Sequence, residues 1–143
     1  MTLKDFISEE NIHLNENFSS WQDAVRFAGN MLIGSGSINE RYREDMVKMV
    51  ETNGPYIVIM PGVALAHARP NGNVFKNQVA LLTIPKGVNF GNKDNDPVHY
   101  LFAIAARTNK EHLVMFKAVA EFISEEKNLQ ALQEAVCLQD IEF

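Results

Sequence analysis

Tyr56-Ile57-Val58-Ile59-Met60-Pro61-Gly62-Val63-Ala64-Leu65-Ala66-His67-Ala68-Arg69-Pro70 is the stretch on which the reading of this chain turns. The run 56–60 is β-branched, continuously apolar and too short for a helix, so it reads as a buried strand. Pro61-Gly62 breaks it, and 63–69 follows as a second short extended piece before the turn Pro70-Asn71-Gly72-Asn73.

Upstream, the texture is helical. A helix is expected over 20–33, where Ser19 and Gln22 have capping-box spacing and Trp21, Ala24, Val25, Ala28, Met31 and Leu32 form one apolar face. Gly34-Ser35-Gly36 ends it. A second helix is expected over 40–52, with Asn39 as its N-cap and Tyr42, Met46, Met49 and Val50 as its buried stripe; Asn53-Gly54-Pro55 stops it. Downstream, strands are expected over 78–84 and 97–105, separated by a polar loop at 89–96. Thr108-Asn109-Lys110-Glu111 then forms a capping box for a helix to about residue 123, its stripe being Leu113, Phe116, Val119, Ala120 and Ile123. A last helix is expected from a Ser124 cap through Ala135, with Leu129, Leu132 and Val136 inward. Two helices, a block of short strands and two more helices each have one face to bury. The expected fold is therefore α/β, a single domain over 1–143 with a mixed β-sheet flanked by α-helices.

Composition narrows the function. The 143 residues suffice for one core without disulfides or metals, and 46% hydrophobic against 22% charged residues is a globular balance. A net charge of −5, with thirteen basic residues interleaved among acids, argues against a nucleic-acid partner. Cys137 is the only cysteine, which suits a reducing compartment, and its apolar neighbours predict a buried structural thiol. The N-terminus lacks the long apolar stretch of a signal peptide, and no apolar run approaches the length of a membrane span, so a cytoplasmic location is expected.

Chemistry is left to the histidines. His13, in a polar N-terminal stretch, reads as a surface or edge residue. His99, alternating with Val98 and Tyr100, reads as structural or supporting. His67 stands among Ala64, Ala66 and Ala68, whose small side chains leave room for another molecule to approach the imidazole. Arg69 lies two positions on, so along an extended segment it shares the side of His67 and is placed to receive an anion near the ring. His112 falls in the first turn of a capped helix, where unpaired N–H groups and the helix dipole favour an anion. No His-Glu-x-x-His or Cys/His cluster supports a metal, and no Gly-x-Gly-x-x-Gly, P-loop or Gly-x-Ser-x-Gly motif is present, so no cofactor is expected. Imidazole remains the best nucleophile: an unperturbed pKa near ~6.5 leaves a large neutral fraction at cellular pH, and histidine carries covalent intermediates.

The segment from Gly54 to Pro70, with its Ala66-His67-Ala68-Arg69-Pro70 ending, resembles the phosphorylation site of the enzyme IIA components of the bacterial sugar phosphotransferase system, in the mannitol/fructose/ascorbate superfamily. The resemblance spans nearly the whole chain. Asp96-Pro97-Val98 with Leu101-Phe102-Ala103-Ile104-Ala105-Ala106 matches the later strand of that family, and Glu111-His112-Leu113 matches the place of its second active-site histidine. The resemblance implies a mannitol/fructose-type IIA fold. It also implies a phosphoryl group accepted from the phosphohistidine of the carrier HPr on His67 and donated to a IIB component, with His112 positioning the ring or the phosphoryl group. The membrane component IIC is then an indirect partner. A homodimer is compatible with the chain, although no pattern points to one.

Two departures lean towards the ascorbate branch. Mannitol and fructose members carry Pro before the active histidine, where this chain has Ala66, and an arginine sixteen residues upstream, where it has Glu51. A Glu51 facing the site would orient or protonate an imidazole but repel a phosphate, so Arg69 is expected to supply the positive charge. The alternative is a histidine-phosphorylated regulatory or interaction domain of the same fold that does not feed transport.

Overall fold

Ser20, Asn39 and Thr108 each accept, through the side chain, the backbone N–H three residues on, and each opens a helix: α1 (Trp21–Gly34), α2 (Glu40–Asn53) and α3 (Asn109–Ser124). A fourth helix, α4 (Glu126–Glu134), starts without a side-chain cap. The computed structural model describes residues 1–143. Its strands are β1 (Ile7–His13), β2 (Val58–Met60), β3 (Val63–Ala66), β4 (Gln78–Val88) and β5 (Val98–Ala105). They form one mixed sheet in the order β1-β4-β5-β3-β2, in which β1 runs parallel to β4 and β3 parallel to β5, while the β4–β5 and β2–β3 pairs are antiparallel.

Helices cover both faces of this sheet, which is why β3 and most of β4 and β5 are buried without alternation. On one face α1 and α2 set Ala24, Leu32, Tyr42, Met46 and Val50 against Ala64, Ala66, Ala80 and Ala103. On the other, α3 and α4 set Met115, Val119, Phe122 and Leu132 against Leu65, Leu81, Phe102 and Ile104. The strands thus present five alanines, Ala64, Ala66, Ala80, Ala103 and Ala105, to the first helix pair beside larger residues such as Leu82, Ile84 and Leu101, and none to the second. Each large side chain buried in this way contributes about 1.5–3 kcal/mol. No helix is long and apolar enough to cross a membrane.

The α/β class, the four helices and the strand block agree with the sequence reading; several details do not. β1 lies where only a polar stretch was expected. It is an edge strand carrying exposed Glu9 and Glu10, and a break in its register with β4 between Ile7 and Ile12 erases the alternation that would reveal it. β2, the opposite edge, is shorter than expected and leaves Tyr56 and Ile59 exposed. β4 runs four residues past Ile84, through Pro85 and Gly87. The α1 cap is Ser20 rather than Ser19. Leu113 is 70% exposed, because α3 buries Met115, Ala118 and Phe122 instead. Val136 and Cys137 lie beyond α4 and are exposed, so the expected buried thiol is corrected to a surface one.

Candidate phosphoryl-transfer site

Parallel pairing of β3 and β5 sends both chains out of the sheet at the same edge, the carboxyl ends where α/β proteins place their sites. His67 is the first residue beyond β3; α3 begins four residues beyond β5 and carries His112 in its first turn. The two imidazoles meet there with ring centroids 5.2 Å apart and planes tilted by 47°.

Leu65 explains the orientation of His67. Its N–H bonds the carbonyl of Ile57, and its own carbonyl accepts from the His67 ring, with Nδ1 2.9 Å away. A carbonyl oxygen can only accept, so Nδ1 carries a proton, and in the neutral ring the lone pair is on Nε2. His67 is half-buried. Its neighbour Ala68 is buried, and its backbone N–H donates to the Tyr42 hydroxyl at 3.2 Å.

In His112 the buried ring nitrogen is Nδ1, which has no hydrogen-bond partner. Burial, and then the proximity of His67, push the His112 pKa below its ordinary value. The ring is therefore neutral at neutral pH, and its Nε2 is the nitrogen left to the groove. Phe116, one turn on, supports it at 6.0 Å between centroids.

The groove between the two rings measures about 380 Å³ and is walled by Met49, Asn53, Tyr56, Ala68, Arg69, Pro70 and Asn109 in addition to the histidines. No carboxylate lines it, in a chain with eighteen acidic residues against thirteen basic ones. Arg69 is exposed at its wall and pairs with no carboxylate. A free guanidinium, a neutral imidazole and the first-turn N–H groups of α3 beside Asn109 make this an anion-receptive place. A larger cleft of about 560 Å³ lies among α3, α4 and the C-terminus, but Glu121, Glu125, Asp140 and Glu142 line it against a single Lys127, so it repels anions.

Of the residues singled out from sequence, His67, His112 and Arg69 come together. Glu51 does not. It is exposed on α2 and does not line the groove; the pKa of Arg26 on α1 is raised by its partner Glu44 first and by the charge of Glu51 only secondarily. The α2 residues on the groove are Met49 and Asn53, each two positions from Glu51 and so about 200° around the helix from it. Asn53, Tyr56 and Asn109 escaped sequence reasoning because each sits at an element boundary, where its residue type already had a local explanation as a stop, a strand residue or a helix start. The shared i, i+4 face of Met49 and Asn53 was the available signal.

The sequence profile of the family described as "Phosphoenolpyruvate-dependent sugar phosphotransferase system, EIIA 2" matches residues 5–142. Among curated proteins, the ascorbate-specific PTS system EIIA component of Shigella boydii is 33% identical over 143 residues, covering 99% of this chain and 93% of that protein. Among solved structures, the mannitol-specific cryptic phosphotransferase enzyme IIA CmtB from Escherichia coli superposes with a TM-score of 0.87 at 30% identity, covering 98% of this chain and 95% of the other. Enzyme IIAMtl from Escherichia coli, solved in complex with phosphorylated IIBMtl, superposes with a TM-score of 0.84 at 25% identity over 93% of this chain and 92% of the other.

Proposed function

This chain belongs to the phosphoenolpyruvate-dependent sugar phosphotransferase system EIIA 2 family, and on that premise we propose that residues 1–143 act as one phosphocarrier domain with His67 as the acceptor. The observation that carries the assignment to His67 is the Nδ1···Leu65 carbonyl contact of 2.9 Å, which leaves Nε2 as the nucleophile beside a second imidazole in a groove free of carboxylates.

In the proposed transfer, Nε2 of His67 attacks the phosphorus of the phosphohistidine of HPr. A new N–P bond forms as the donor's N–P bond breaks in line, and the donor imidazole leaves with its electron pair. Such a transfer demands positioning and charge stabilisation more than covalent help. His112, neutral and with Nε2 towards the groove, donates a hydrogen bond to a phosphoryl oxygen; Arg69 and the free N–H groups at the start of α3 meet the remaining charge. In a second in-line displacement a nucleophile of a IIB component attacks that phosphorus, the His67 N–P bond breaks and Nε2 leaves with its electron pair; the IIB component then delivers the group to sugar at the membrane component IIC. Ascorbate or a related carbohydrate is the proposed substrate of that system, on the likeness to the ascorbate-specific relative. Tyr56, 51% exposed on the groove wall, and Leu113, 70% exposed and next to His112, supply apolar area for docking a protein donor or acceptor.

Intact-mass spectrometry after incubation with phosphoenolpyruvate, enzyme I and HPr tests the proposal. Wild type gains one acid-labile phosphoryl group and His67→Ala gains none. A folded wild type that stays unmodified, or a modified His67→Ala, overturns it.

A further inference from the structure

Beyond Ala66, the ladder between β3 and β5 is interrupted by a side chain. The last paired residues are Ala66 and Ala103, so continuing the parallel register would bring the N–H of Ala68 to the carbonyl of Ile104. Tyr42 of α2 occupies that rung. Its hydroxyl accepts from Ala68 N at 3.2 Å and lies 2.7 Å from the Ile104 oxygen, to which it donates; the Ala68 oxygen is farther, at 3.3 Å. Where a direct rung would hold nitrogen and oxygen about 2.9 Å apart, an oxygen atom and two hydrogen bonds now stand between the strands. The chain carrying His67 is splayed away from β5 at the point where His112 faces it.

Packing does not demand this hydroxyl. Tyr42 is fully buried in the α1/α2 core, where a phenylalanine ring fills the same space without a polar atom to desolvate. Burial pushes its pKa up to about 12, so the group stays an O–H able to donate and accept at once. His67 is thereby held from two sides: its ring by the Leu65 carbonyl, and the next amide by Tyr42.

We infer that Tyr42 is a positioning residue for phosphoryl transfer: by inserting its hydroxyl between Ala68 and Ile104 it sets the angle at which His67 presents Nε2 to the groove. The inference rests on His67 as the acceptor. Without the hydroxyl, Ala68 closes directly onto Ile104, the His67 backbone rotates, and the ring's bond to Leu65 loosens.

The test compares Tyr42→Phe with Val47→Ala, a buried α2 position that weakens the same core without touching the rung. Transfer from phospho-HPr gives kcat and KM, and the imidazole nitrogen shifts in NMR give the His67 tautomer. In Tyr42→Phe, kcat falls by about 10- to 100-fold, the scale of a misaligned reacting atom. KM stays unchanged and the Nδ1–H tautomer of His67 gives way to a mixture. Val47→Ala lowers the melting temperature and keeps both readouts. Wild-type kcat and tautomer in Tyr42→Phe, or an equal loss in Val47→Ala, overturns the inference. Should Tyr42→Phe fail to fold, 3-fluorotyrosine incorporated at position 42 perturbs the hydroxyl on an intact ring; unchanged kcat and tautomer there overturn it equally. A phosphorylated His67→Ala would instead defeat the choice of acceptor, while the tautomer still reports whether Tyr42 sets the ring.

Discussion

His67 and His99 are held alike and surrounded differently. Each sets Nδ1 against a main-chain carbonyl, Leu65 at 2.9 Å for one and Ile84 at 3.1 Å for the other. Each is half-buried. His99, however, is wedged against two glycines in the left-handed region: a Cβ on Gly87 would stand 3.1 Å from the ring, and one on Gly62 3.6 Å. The cavity beside it, of about 430 Å³, is walled by Asn15, Thr83, Tyr100 and Gln133 among others, with no cation and no second imidazole. His67 instead faces His112, Arg69 and the start of α3. A fixed tautomer is thus common to both histidines, and what separates a site from a structural residue is the set of anion-receiving groups that converge on the other ring nitrogen.

The comparison breaks most readily at His112. Replacing it with alanine removes one donor to the phosphoryl oxygens and slows transfer from phospho-HPr by about 10²- to 10³-fold, measured by rapid-quench kinetics, with the final stoichiometry of one phosphoryl group retained. His99→Ala, assayed alongside, keeps the wild-type rate and lowers stability by about 1–2 kcal/mol for the lost contact to Ile84. Equal losses of rate in the two variants would erase the distinction between the two ends of the sheet.

Arg69 sharpens the same distinction by a smaller step. It is the only cationic side chain on the groove and is exposed, so water screens part of its contribution. Arg69→Ala is expected to slow transfer by about tenfold, close to 1.4 kcal/mol, and Arg69→Lys to recover part of that, since an ammonium keeps the charge but loses the planar fork. Quench-flow rates at two salt concentrations check it, because a charge effect shrinks as salt rises. An unchanged rate in Arg69→Ala would leave the guanidinium a surface group like any other.

The two ends of the sheet also differ in how far the sequence discloses them. The helix caps at Asn39 and Thr108 and the run around β3 are local signals, and they fix where α2, α3 and the His67 strand stand. His67 is legible because small residues and an arginine surround it in the chain itself. Its meeting with His112 is not, since 45 positions separate them and only the parallel β3–β5 register brings both to one edge. Glu51 shows the converse error: a position inferred by counting back from His67 lands on the wrong face of α2, because two residues along a helix reverse its direction. β1 is missed for a third reason, that an edge strand bearing charges satisfies its neighbours and the solvent at once.

The smallest expected effect is one of pH. Burial, and secondarily His67, depress the His112 pKa in the folded protein below the value near ~6.5 that the unfolded chain has. As pH falls through ~6.5 the unfolded chain binds a proton at residue 112 that the folded site resists, so the unfolded state gains and stability drops, until pH passes the folded pKa. This contribution is whole above the unfolded pKa and lost on acidification. His112→Gln lacks it, so urea denaturation at about pH 7.5 and about pH 5.5 should show wild type losing more stability between the two than the variant. A steeper loss in His112→Gln would mean that the folded site attracts the proton instead. Phosphorylation of His67 should reverse the sign, because it places an anion of about −1.5 to −2 charges beside the same ring and favours its protonated form. In the phosphorylated protein residue 112 would then add stability as pH falls through this window, where in the free protein it removes it.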